Sequence, residues 1–172
     1  FKADDALLSE VSTFMKNLLP AAEDIRAAFD EKASAGVHPR IIATAEDFER
    51  IRNEIVTDER MAQWHKKIIA KADTLLDREV DKYVLGSESG GQANILTVVR
   101  NWRDKMIYWG YAWQVTKDSK YLDAAWEELL SCCSFKDWNP SHTIDTGEAL
   151  LAVAIGYDWF YEALTEEQRS FI

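Results

Sequence analysis

Apolar residues recur along this chain at helical spacing, in runs that differ in how fully they are apolar. Leu7, Leu8, Val11, Phe14, Met15, Leu18 and Leu19 form one stripe, which predicts a helix over residues 4–19. Pro20 stops that helix or opens the next, which runs to about Ser34 with Ile25, Ala28 and Phe29 inward; Gly36 ends it. Residues 37–43 read as an extended crossing. Thr44 then serves as an N-cap, with Asp47 three positions on and Phe48, Ile51 and Ile55 forming the stripe. Thr57 or Asp58 caps a longer amphipathic helix to about Val80, with Met61, Trp64, Ile68, Ala72 and Leu75 inward.

The second half is more apolar. Over residues 94–116, Ile95, Val98, Trp102, Met106, Trp109 and Trp113 share one face, and Val99, Ile107, Gly110 and Tyr111 extend it. Lys117 and Asp118 turn the chain into an amphipathic helix with Tyr121, Leu122, Ala125, Leu129 and Cys132 inward and Glu127 and Glu128 outward. A polar loop follows, then an almost wholly apolar helix from about Asp145 to Tyr161. Amphipathic and buried helices therefore alternate, as in concentric rings where inner helices are covered on both sides. The expected fold is all-α: an N-terminal helical hairpin over residues 1–36, then helical hairpins of an incomplete (α/α) toroid over 37–172. Thr165 and Gln168 form a capping box that announces a helix close to Ile172, so the protein is expected to continue beyond it.

Composition narrows the function classes. With 172 residues, 47% of them hydrophobic, the chain has material for a real core, and its seven glycines and three prolines are too few for an all-β protein. A net charge of −10 with no basic run argues against a nucleic-acid module. No apolar run reaches the roughly 20 residues of a membrane span. Cys132 and Cys133 are adjacent, a spacing that strains a disulfide, and read as small buried residues. The glycine-rich segment around Gly86–Gly91 matches no phosphate-binding pattern and reads as a connector.

The candidate chemistry concentrates in residues 137–148. Asp137, Trp138, Asn139, His142, Asp145 and Glu148 bring an indole, a carboxamide, an imidazole and three carboxylates to the mouth of an apolar helix. Pro140 keeps Asn139 out of right-handed helical geometry, so the segment starts as a loop. His142, Asp145 and Glu148 lack metal-site spacing, and no metal or cofactor is expected. They suit general acid–base work, or a polar cap in which Asp145 ends the helix and His142 bonds to backbone. Holding a hydroxyl-rich ligand fits the inventory best, with Trp138 stacking on a sugar ring while Asn139 and His142 bond to its hydroxyls. Arg103 is the candidate partner for a carboxylate or sulfate, or else for Asp104 or Glu148.

Three stretches carry a resemblance: His38-Pro39-Arg40-Ile41-Ile42, the passage from Tyr111 to Tyr121, and DWNPSHTIDTGEALLAVAIGYDWFYEALTEEQR from Asp137. They resemble the heparinase II/III-like polysaccharide lyases over roughly residues 38–172, while the first two helices carry no such motif. The resemblance implies an incomplete (α/α) toroid followed by β-sandwich domains, a periplasmic or secreted location, and β-elimination on acidic polysaccharides such as glycosaminoglycans or alginate. It implies a cleft-lining, substrate-binding role for Trp138, Asn139, His142, Asp145, Glu148 and Arg103. The family's neutralising and proton-transferring residues have no counterpart here, so they are expected in the remainder of the protein, and this part alone is expected to be inactive. Thr143 and Gly147 stand where the family more often has an aromatic residue and alanine. Two other classes compete. A helical-repeat protein-binding module requires a repeat that is not found, and a toroid glycoside hydrolase requires two carboxylates facing one cleft.

Overall fold

A computed structural model describes residues 9–14, 21–34, 36–86 and 94–172. The fold is all-α, with no strand among these residues. The chain divides into two compact units, Phe1–Val37 and His38–Ile172. In the first, residues 9–14 are helical and α1 spans Ala22–Ser34; the rest of the helix expected over 4–19 lies outside the described residues. The stripe expected inward on α1 is exposed instead, at both Ile25 and Phe29.

The second unit holds α2 (Ala45–Thr57), α3 (Glu59–Leu76), α4 (Ile95–Thr116), α5 (Ser119–Cys133), α6 (Thr143–Phe160) and the short α7 (Glu166–Phe171). Side-chain caps set the starts. Thr44 and Asp47 form a reciprocal capping box on α2, Asp58 caps α3, Asn94 caps α4, Asp118 caps α5, and Thr165 with Gln168 boxes α7. Lys117 takes a left-handed conformation (φ 57°) that turns α4 into α5.

The core is the seam between α4 and α6, with α5, α3 and α2 against α4. Two glycines let these helices approach. A Cβ on Gly110 of α4 would sit 2.7 Å from the Trp159 ring of α6, and one on Gly156 of α6 would sit 2.8 Å from the Met106 sulfur of α4. Each helix thus lodges a large side chain in a notch of the other. Trp102 and Trp109 are buried as expected for core residues. The Trp109 indole donates to the Ala72 carbonyl, while the Trp102 indole nitrogen has no partner among the described residues and its ring meets Phe135 edge-on.

Four expectations fail here. Trp64 is 53% exposed, because the inward stripe of α3 runs through Ile69, Ala72, Leu75 and Leu76 without it. α3 also stops at Leu76 rather than near Val80. Glu128, expected outward, is buried: it stands seven positions after Tyr121 and three after Ala125, on the inward stripe of α5. The fourth departure concerns α6, which is not covered on all sides, since Ile144, Leu150 and Leu151 are exposed.

Glu128 is accommodated by an ionic cluster. Lys105 of α4, itself buried, places its ammonium 2.6 Å from Glu128 and 2.9 Å from Asp81, and donates to the Glu79 carbonyl. Glu128 also accepts from the Asp81 backbone N–H (3.1 Å), while Asn101 donates to the Asp81 carboxylate and Ser131 to its carbonyl. Burial pushes the Glu128 carboxyl up, and the Lys105 ammonium opposes that shift. The cluster pins the segment after α3 across α4 and α5. Removing one partner leaves an uncompensated buried charge. Lys105→Met should therefore cost roughly 3–5 kcal/mol in urea denaturation, and adding Glu128→Leu should recover most of that loss. A double variant no more stable than Lys105→Met alone would contradict the pairing.

Candidate functional site

The loop between α5 and α6 is built around one buried carboxylate. Asp145, 1% exposed and in the first turn of α6, receives Asn139 Nδ2 on one oxygen (2.7 Å) and His142 Nδ1 on the other (2.9 Å). Asn139 adopts a left-handed conformation (φ 53°), which asparagine tolerates better than most residues. Its carbonyl accepts from the His142 N–H (2.9 Å), closing a turn with Pro140 at the position that suits its fixed φ. Ser141 donates to the Asn139 side-chain oxygen (2.8 Å), so this carboxamide is held on both sides. Asp137 accepts from the Asn139 N–H (3.0 Å) and from the Tyr83 hydroxyl (3.1 Å), tying the loop to the segment before α4.

A cleft of about 210 Å³ opens over this cluster, lined by Leu85, Asn94, Leu96, Asn139, His142 and Asp145 among others. Asp145 is the buried floor and His142, its side chain half exposed, is the accessible wall. With Nδ1–H donated to Asp145, a neutral His142 carries its lone pair on Nε2, free to accept from a hydroxyl or take a proton. Asp145 does not cap α6 by a side-chain bond to backbone. His142 holds the N-cap position without a side-chain bond of its own, and Asp145 orients it.

The remaining expected site residues lie elsewhere. Trp138 is absent from the cleft lining: its indole donates to the Cys132 carbonyl (2.9 Å) and its ring packs on the core, while Thr146 bonds its carbonyl. Glu148 and Arg103 sit farther along the α4–α6 seam, joined at 2.8 Å; Arg103 also binds Asp104 at 2.9 Å. Asp104 first, and then Glu148, raises the Arg103 guanidinium above its ordinary value. Sequence reasoning passed over Arg100, whose Nε reaches Glu148 at 3.3 Å, although its three-residue spacing from Arg103 places both on one face. It also passed over Tyr83 and Asn94, which only the packing of the segment before α4 brings to this end.

A second cavity of about 330 Å³ lies at the other end of α6, against His38, Trp113, Gln114, Lys117 and Asp158. Its polar groups already fasten chain segments. Asp158 accepts His38 Nδ1 (2.6 Å) and the N–H groups of Arg40 and Ile41 (2.8 Å each), and Gln114 donates to the Trp159 carbonyl. His38 stacks on Tyr161 with ring centroids 3.7 Å apart. Cys132 and Cys133 are free thiols; the neighbouring sulfur first, and then burial, push Cys132 up, while the hydrogen bond to the Cys132 sulfur lowers Cys133 against the opposing effect of burial. Among the described residues no group of histidine, cysteine or carboxylate side chains is arranged for a metal, and no helix is long and apolar enough to cross a membrane.

No protein-family profile matches the chain, and no curated protein matches it.

Asp145 satisfies two side chains from inside the protein, so its removal should be felt as lost stability. Asp145→Ala should cost about 3 kcal/mol in urea denaturation, because both partners lose their acceptor beside a buried void, whereas Asp145→Asn should cost about 1 kcal/mol. His142→Ala, at a half-exposed position, should stay within about 1 kcal/mol of the wild type. An Asp145→Ala protein as stable as wild type would contradict this assignment.

Proposed function

We propose that this chain is the first part of an (α/α) toroid polysaccharide lyase, and that the cleft over Asp145 is one wall of its substrate site. The observation that carries the reading is the Asn139–Asp145–His142 constellation: a buried carboxylate orienting a carboxamide and an exposed imidazole onto a cleft of mixed polar and apolar lining. Such groups suit the hydroxyls of a sugar chain, and their fixed orientation lowers the cost of binding. The resemblance of residues 137–169 to heparinase II/III-like lyases supports the same reading, as does the pairing of the apolar α4 and α6, with the more amphipathic α3 and α5 packed against α4.

The reaction is β-elimination on a uronate-containing polymer. A group neutralises the uronate carboxylate and acidifies the adjacent C5 proton; a base removes that proton, and an acid assists departure of the 4-O leaving group. No residue of this chain is assigned to those steps. Its part is to bind and register the polymer through Asn139 and His142. Trp138 supports the loop from behind, holding its backbone against α5.

Hydrolysis by a carboxylate pair is disfavoured by a specific observation. Each carboxylate of the loop is engaged: Asp137 by Tyr83 and a backbone N–H, Asp145 by Asn139 and His142, Glu148 by Arg100 and Arg103. Among the described residues Asp145 is the one carboxylate that lines the cleft, so no second described carboxylate faces a bond there.

The test is the ultraviolet absorbance of the unsaturated uronate that elimination creates and hydrolysis does not. The parent protein, incubated with alginate, hyaluronan, chondroitin sulfate or heparan sulfate, should release an absorbing product from at least one. Release of reducing ends without that absorbance would replace the lyase by a hydrolase. Activity on none of these polymers would remove the reading.

A further inference from the structure

Beside the cleft, α4 and α6 meet across a charged group that forms a second, distinct feature of the seam. Glu148 offers one carboxylate oxygen to Arg100 Nε (3.3 Å) and the other to Arg103 Nη1 (2.8 Å). Arg100 follows the cleft-lining Leu96 by one turn of α4, and Glu148 follows the cleft-lining Asp145 by one turn of α6. The group therefore adjoins the cleft along the same seam. Arg100 is half exposed, and its terminal guanidinium nitrogens have no hydrogen-bond partner among the described residues. Asp104 holds Arg103 from the other side, through Nε (3.2 Å) and Nη2 (2.9 Å), so Arg103 keeps its orientation if Nη1 is released.

Two guanidiniums converging on one carboxylate reproduce what an acidic sugar would need, since arginine matches planar anionic groups with paired hydrogen bonds. As a fold-stabilising bridge the arrangement contributes little, because Arg100 and Arg103 are in part open to solvent. Ile144 and Leu151, four positions before and three after Glu148, are exposed and flank the carboxylate with apolar surface suited to the carbon face of a sugar ring. The chain carries a net charge of −10, so a partly open cation pair at a cleft is a local reversal of sign.

We propose that Arg100 and Arg103 form the acid-recognition subsite of the cleft, and that Glu148 occupies it as an internal stand-in displaced by a carboxylate or sulfate of the polysaccharide. The inference rests on the reading of the cleft as a polysaccharide site. It changes the role of Glu148 from a contact to a competitor. A neutral hydroxyl does not replace a carboxylate between two guanidiniums, whereas an anionic group does, so Glu148 competes with charged sugar units and leaves the binding of neutral ones unaffected.

The test is equilibrium binding by calorimetry to a mannuronate oligomer (carboxylates only), a heparin oligosaccharide (sulfates as well) and a neutral cello-oligosaccharide. Glu148→Gln removes the competitor and should tighten the acidic oligomers about tenfold, leaving the neutral one unchanged. Arg100→Gln, at a half-exposed position, and Arg103→Gln should each weaken acidic binding about tenfold. The oligomer that gains more from Glu148→Gln identifies whether carboxylate or sulfate is the natural occupant. Circular dichroism melts of each variant verify folding, and Arg100→Gln serves if Arg103→Gln fails to fold. Acidic binding that depends on Asn139 and His142 but is unaltered or weakened by Glu148→Gln would overturn the inference and leave the proposed function standing. Absence of binding to all three oligomers by wild type and Glu148→Gln alike would overturn both.

Discussion

An apolar helix that carries two buried carboxylates needs hydrogen-bond donors brought to it, and this need organises the second unit of the chain. Asp145 and Asp158 of α6 are each 1% exposed. Burying such a group without partners costs more than a small domain can spare, so each must collect donors from outside the helix. Asp158 collects the imidazole of His38 and two backbone N–H groups, fastening residues 38–41 to α6 across a separation of 120 positions. Asp145 collects Asn139 and His142 and fixes the loop that enters the helix. The helix is apolar enough to be the core, and its two acids decide which segments close over its ends.

The two ends are not equivalent. At the Asp158 end the donors are largely backbone, and the histidine is enclosed by stacking on Tyr161. At the Asp145 end the donors are side chains, one of them half exposed on an open cleft. The first arrangement is fastening; the second leaves an oriented imidazole accessible. Rigidity behind that imidazole comes from the Lys105–Glu128–Asp81 cluster, which holds the segment leading to Tyr83 and Leu85, and from Trp138, which holds the loop to α5. A binding wall supported from both sides keeps its geometry without help from a ligand.

Much of this was legible in the sequence, and the rest was not, for a consistent reason. Local signals worked. The stripe from Ile95 predicted α4, which spans Ile95–Thr116, and the threonine caps at Thr44 and Thr165 hold as capping boxes. The crowd of polar residues at 137–148 marked where a cleft opens, although Trp138 supports the loop rather than facing the cleft. Long-range pairings were invisible. Glu128 looked like a surface residue because its partner Lys105 lies 23 positions away on another helix. The role of Asp158 left no local signal, because its donors lie in residues 38–41, a segment without periodicity. Trp64 looked inward because an indole fits any apolar stripe, and its 53% exposure depends on which helices flank α3. Periodicity reports which face of a helix is apolar; it does not report which polar group has been matched by a distant one.

The central claim is that the Asp145 end of α6, and not the Asp158 end, receives a sugar chain. Two-dimensional NMR of the isotope-labelled protein during titration with a uronate oligomer tests it most directly. The account predicts that shift changes gather at the Asn139 side-chain amide, the His142 ring and the Arg100 guanidinium, with the His38, Gln114 and Lys117 signals unmoved. Changes confined to His38, Gln114 and Lys117, or no changes at a saturating ligand concentration, would contradict it.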